Sequence, residues 1–378
     1  MTSPVASPAP VPVSNPEVPA AVESSVQRFL GTEKLEQDGA TQHVADLIAS
    51  LTSSTRTVSR AEVLQELSII AQESPARQRL VASLGGIAPA VDLLSVGSSV
   101  DQVHATTLLA YLAQNNLENQ TDIASRGALQ ALVHILTHSA TDEAKDCSAS
   151  ALMYLIFNHS DNQAALCRLH ALSELVLFVA QGNHETFIGV SEALRLLTDI
   201  AESHRDFVSI VAVLQYGPDG LQIRMAQEIA ILAEDNAENK DAFSATGAVN
   251  VLVNHLSEGS EELVEHSAHA MKCLATRHAV NREAIVTAGG IAALIAVIPE
   301  GTAGTRVSAM DLLRTISSYS PTHRATIAAS GVIEKLKAIK ENNVTASQVK
   351  QSAEMLLKEI TQRPSFTATF LSQFTHAK

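Results

Sequence analysis

Tryptophan is absent from this chain and only 3% of its residues are aromatic. Its 46% hydrophobic content is carried mostly by Ala, Leu, Ile and Val, small aliphatic side chains that let helices pack closely. Cysteine is equally scarce: Cys147, Cys167 and Cys273 stand far apart, without metal-ligand spacing or an obvious pairing. They read as reduced thiols of a cytoplasmic or nuclear protein. Basic residues are outnumbered, 26 Lys and Arg against 40 Asp and Glu, for a formal net charge of −14. Such a field repels polyphosphate and favours basic partners, which excludes nucleic-acid binding as an expectation. No uncharged stretch approaches the ~20 residues of a membrane helix, and no basic start with an apolar run suggests secretion. Thr2 follows Met1 and no Cys lies near either end, so the common lipid anchors are not expected.

Chemistry is missing as well. The chain holds no GxxxxGK[ST] loop, no GxGxxG and no GxSxG elbow. Fourteen histidines invite a metal reading, since the spacings of His134/His138 and His266/His269 put each pair on one helix face. Neither pair has an evident third ligand, and solvated rings are the simpler reading. Metal-dependent hydroxylases built from helical repeats use several His-Glu dipeptides, whereas here there is one, His184-Glu185. No enzyme, cofactor or metal is therefore expected. Paired carboxylates such as Glu261-Glu262 suit helix starts, where they complement the helix dipole.

What is present is periodicity. Residues 1–20 hold six of the 12 prolines, and residues 1–22 read as a disordered tail. Beyond it, NREAIVTAGGIAALIAVI at Asn281 recurs as NQTDIASRGALQALVHIL at Asn119, NQAALCRLHALSELVLFV at Asn162 and NKDAFSATGAVNVLVNHL at Asn239. Further copies start at Arg77, His204 and His323, so the spacings are 42, 43, 42, 35, 42 and 42 residues. A weaker unit precedes them, starting at Gly31. Each unit reads as a short helix, a glycine turn, a second helix and a longer third helix. Alone, no such unit buries both faces of its helices, so stacking must supply the core. The unit from His204 is short, and its loss is expected around the second helix, near Gly217-Pro218-Asp219-Gly220, with a changed rotation between neighbours.

Asn, an apolar patch, Gly-Gly-Ile and Leu-rich later helices at this period resemble the armadillo repeat, with HEAT repeats as the nearest rival. The resemblance implies an all-α fold, a right-handed superhelix of about eight three-helix repeats over residues 23–360. It also implies that third helices line a concave, protein-binding groove. In the importin-alpha branch, a ladder of Asn residues, each preceded four positions earlier by Trp, grips an extended basic peptide. The matching positions here are Ile69, Tyr111, Tyr154, Asp199, Ile231, Cys273 and Thr315, preceded by Gln65, Thr107, Ser150, Arg195, Gln227, His269 and Asp311. None is Asn and none of the partners is Trp, which disfavours a nuclear-transport cargo adaptor and leaves a scaffold or adaptor for partners with a basic surface. The acidic chain does not match the basic groove of beta-catenin either. Tyr111, Tyr154, Arg195, Asp199, His269 and Asp311 are the candidate partner-binding residues, with the tyrosines as anchors that keep a polar tip. In the segment 361–378, Phe366, Phe370 and Phe374 form one stripe if helical, suited to capping the last repeat, to a partner groove or to self-docking.

Overall fold

The computed structural model describes residues 39–53, 59–181 and 190–361, and helix is the only regular secondary structure among them. The proline-rich 1–22 segment, the start at Gly31 and the Phe366, Phe370 and Phe374 stripe lie outside the described residues. The chain divides into two compact units, Met1–Leu112 and Ala113–Lys378. The first carries helices α1 (39–52), α2 (Arg60–Glu73), α3 (Pro75–Ser83), α4 (Ile87–Val96) and nearly all of α5 (Ser99–Ala113). The second is a helical-repeat solenoid. It opens with the triplets α6 (Leu117–Ser125), α7 (Ala128–His138), α8 (Asp142–Ile156) and α9 (Ser160–Arg168), α10 (Leu172–Ala180), α11 (Val190–His204). A pair follows, α12 (Phe207–Tyr216) and α13 (Asp219–Ala233). Three triplets complete it: α14 (Ala237–Ala245), α15 (Ala248–Glu258), α16 (Glu261–Ala275); α17 (Ala279–Thr287), α18 (Gly290–Val297), α19 (Ala303–Tyr319); and α20 (Pro321–Ala329), α21 (Val332–Glu341), α22 (Ser347–Thr361).

The same local chemistry starts each triplet of the second unit. Before four of the five triplets the chain turns through a left-handed residue, Asn115, Asn158, Asp235 or Arg277, with φ between 48° and 57°, whereas α20 follows on Ser320 in extended backbone. A capping side chain then accepts the third backbone N–H of the first helix, as Asn116 does from Asn119 and Asn236 from Asn239. The first helix ends in a corner held by a left-handed glycine, Gly127, Gly247, Gly289 or Gly331, at φ of 79° to 85°. In the fourth repeat His170 takes that corner at φ 52°.

The asparagine that marks the repeats in the sequence serves the backbone. Third helices end with carbonyls that lack helical partners. Asn162 Nδ2 donates to the carbonyls of Leu155 (2.8 Å) and Gln120 (3.3 Å), and Asn281 Nδ2 to those of Leu274 (3.2 Å) and Lys240 (3.1 Å). The following position reaches forward: Gln120 donates to the Tyr154 carbonyl (2.7 Å) and Lys240 Nζ to that of Thr276 (2.7 Å). The α6–α8 and α14–α16 repeats thus satisfy their own third helices and are tied to the repeats that follow them.

Apolar faces then stack like on like. The third helices α13, α16, α19 and α22 pack in sequence, and the second helices α10, α12, α15 and α18 do the same. The α16 layer buries Leu263, Ala268, Met271 and Leu274, and α19 answers with Met310, Leu313 and Ile316. Among the described residues no helix is long and apolar enough to cross a membrane.

The fifth repeat corrects the expectation for 204–238. His204 closes α11 and does not open a first helix, and Asp206 caps α12 directly. α12 ends as a second helix does, with Gly217 N–H on the Val213 carbonyl, as Gly97 N–H takes the Leu93 carbonyl after α4. Its buried Ile210, Val211, Val213 and Leu214 match Ala90, Val91, Leu93 and Leu94 of α4. The second helix is therefore intact and the first is the one missing. Phe243 of α14, fully buried, meets Phe207 edge-on at 4.8 Å between ring centres. First helices elsewhere place Val81, Ile123, Leu166, Ile285 or Ile327 at that site. The larger ring stands next to the repeat that lacks a first helix.

Candidate partner-binding face

All six candidate residues stand on third helices, and none of them belongs to the buried core. Tyr111 lies in the first compact unit and the other five in the second. Tyr111 and Tyr154 are half-buried, and their carbonyls accept the amides of Gln78 (2.9 Å) and Gln120 (2.7 Å). Arg195, Asp199 and His269 are exposed, and Asp311 is half-buried. At the same register Ile69 is 56% and Ile231 66% exposed, so large apolar side chains stand in solvent where the core does not need them.

Asp199 pairs with Arg224 of the next repeat, whose Nη2 donates at 2.8 Å and also bonds the Glu202 carboxylate. Burial works against the Arg224 charge, but the bonds to Glu202 and Asp199 outweigh it and hold its pKa above the ordinary value. Burial, and then the neighbouring Glu202, push the Glu228 carboxyl up. Further along, Gln227 of α13 meets His266 of α16 at 3.0 Å. Lys272 of α16 pairs with Asp311 of α19 at 3.5 Å, and Ser352 Oγ of α22 donates to Asp311 Oδ1 at 3.4 Å. Four successive junctions between third helices, α11 to α22, are thus bridged by polar side chains.

His269 and Cys273, one turn apart, approach to 3.9 Å between Nε2 and Sγ. Partial desolvation of the ring, with Lys272 and His266 beside it, lowers the His269 pKa, and burial raises that of Cys273. Both are neutral groups at pH 7. Among the described residues, no three His, Cys, Asp or Glu side chains are arranged to hold a metal ion. His134 and His138 stack on each other, ring centres 4.5 Å apart. A cleft of about 380 Å³ opens where α7, α8 and α10 meet, lined by Leu136, Asp142, Lys145, Glu174 and Phe178 among others, and none of the six candidate residues lines it.

The sequence singled out His266 only as half of a histidine pair with His269, and did not single out Glu202, Arg224, Lys272 or Ser352. Arg224 and His266 each stand three residues before the i position of the i, i+4 ladder, at Gln227 and His269, so a third, half-buried column was the available signal.

No family model matches this chain, and no curated protein does. Among solved structures, one engineered protein is 22% identical over 87% of this chain and 81% of its own, with a TM-score of 0.42. A designed armadillo repeat protein is 17% identical over 84% of this chain and all of its own, TM-score 0.33. Another set, computationally designed armadillo repeat proteins for modular peptide recognition, gives 17%, 84%, 99% and 0.32 for the same measures. The repeat assignment rests on the chain's own geometry and not on these likenesses.

Proposed function

We propose that this chain is an armadillo-type, non-enzymatic scaffold of the cytoplasm that binds folded protein partners with a basic surface on its third-helix face. The observation that carries the reading is the row of bridges from Asp199 and Glu202 to Ser352. Polar groups that would read the main chain of an extended peptide are engaged between the helices instead. What remains toward solvent at the ladder register is apolar at Ile231, with Tyr154 half-buried at the same register, a surface suited to side-chain packing. A net charge of −14 supplies attraction to a basic partner.

Affinity capture with the full chain and with Ile231→Asp tests it. The reading expects a folded basic partner on the parent chain, weakened at least tenfold by Ile231→Asp and by added salt. Capture of short basic peptides that ignores Ile231→Asp would instead support a cargo adaptor and overturn the scaffold.

A further inference from the structure

Two first helices of the second unit are capped by histidine, where other repeats use oxygen. Ser74, Asn116, Asp206, Asn236 and Ser320 each accept the third backbone N–H of their helix with a side-chain oxygen. His159 and His278 do it with Nδ1, accepting from Asn162 N at 3.3 Å and Asn281 N at 3.2 Å. A backbone N–H only donates, so Nδ1 carries no proton and the ring hydrogen sits on Nε2. That nitrogen faces Thr121 Oγ1 of α6 at 2.9 Å in one repeat and Asp241 Oδ1 of α14 at 3.1 Å in the other. The two residues are 7% and 8% exposed.

Each histidine therefore does two jobs, capping its own first helix and bonding the first helix of the preceding repeat. The asparagine three residues on completes the same tie, because Asn162 and Asn281 reach the Gln120 and Lys240 carbonyls of those preceding helices. A second proton can enter the ring only at Nδ1. There it would replace an acceptor by a donor pointing at another donor, inside a buried pocket. Histidine is the side chain that changes charge between about pH 5 and 8, whereas amide and hydroxyl caps do not titrate there. We propose that His159 and His278 are acid-sensitive fasteners that release α9 and α17 from their caps on acidification, while the asparagine-capped α6 and α14 hold.

The charged groups around the rings set what survives. At His278, Asp241 of α14 keeps its bond to Nε2–H in either charge state, so the loss falls on the Nδ1 cap. The Lys240 amino group from α14 and the Arg282 guanidinium from α17 occupy the Thr276 and Ala275 carbonyls beside it, and Arg277 points outward toward Asp235. At His159 the Nε2 partner is the neutral Thr121; Asp122 of α6 is paired with Arg126, and Asp161 of α9 is exposed.

Hydrogen exchange of the full chain at about pH 7.5 and 5.5, corrected for intrinsic rates, tests the proposal. Protection in α9 and α17 should fall roughly fivefold or more, the factor corresponding to a lost cap of ~1 kcal/mol. His159→Asn and His278→Asn, which copy Asn116 and Asn236, should abolish the fall in their own helix. A fall that persists in these variants, or that is as large in α6 and α14, overturns the proposal. Should the variants not fold, the ring nitrogens decide. Nitrogen NMR at pH 7.5 must show the proton on Nε2 of both histidines, and a proton on Nδ1 rejects the fastener.

Discussion

Single residues in this array are judged by the repeat they copy. Gly289 holds its corner at φ 82°, and a Cβ there would touch nothing within 4 Å, so Gly289→Ala isolates backbone strain. Thermal or urea unfolding should show a loss of about 1–2 kcal/mol. His170 occupies the equivalent corner at φ 52°, and His170→Gly relieves similar strain while adding unfolded-chain entropy. The two terms offset, and a change under about 0.5 kcal/mol is expected. His255 makes a different point. The sister helices place Leu93, Ile135 and Val213 at its site, four residues before the C-cap, and burial lowers its pKa against the pull of Glu258 and Asp219. With the folded value below the unfolded value of about 6.5, the unfolded chain binds more protons in the interval between them. His255 therefore leaves stability whole above pH 6.5 and erodes it as pH falls through the folded value. His255→Leu should flatten the dependence of the urea midpoint on pH between 7.5 and 5; an unchanged slope would place the titration elsewhere. Cys167 follows the same logic of burial, which with Asp206 pushes its thiol up to about 11. Its alkylation at pH 8 should be far slower than that of a free thiol.

At the scale of elements, the helix triplet was legible because it is local. Capping residue, asparagine, glycine corner and apolar spacing lie within one 42-residue period, and the short helix, glycine turn and second helix expected of the copy at Asn281 correspond to Ala279–Thr287, Gly289 and Gly290–Val297. The shortened repeat was misread because aligning on the repeat start placed His204 at a first helix, although the Gly217 ending of α12 marks a second. Its consequence appears in the neighbouring element. Phe243 fills the space beside a missing first helix, so Phe243→Ile, the residue used at Ile123 and Ile285, should lose about 1–3 kcal/mol through the cavity it leaves. Calorimetry that finds Phe243→Ile neutral would show that the neighbouring layers close the gap unaided.

At the scale of the whole chain, the fold class was readable and the face was readable only in part. Composition, the absent catalytic sets and the period pointed to an all-α repeat protein. They could not show that Asp199 answers Arg224 or that Lys272 answers Asp311, since partners on adjacent repeats are separated by many residues and share no local pattern. Those bridges and the net charge of −14 act oppositely under salt. Screening weakens half-exposed pairs worth about 0–1 kcal/mol each, and it also relieves self-repulsion spread over the entire chain. With 40 acidic against 26 basic residues, relief should win, so the urea midpoint should rise as NaCl goes from about 20 to 300 mM. Arg224→Met sharpens the test. It leaves Asp199, Glu202 and the half-buried Glu228 without their shared cation, so its deficit should be largest at low salt and shrink on screening. A parent chain that loses stability with salt, together with an Arg224→Met deficit that does not shrink, would mean that the bridges outweigh the net field and hold the array together.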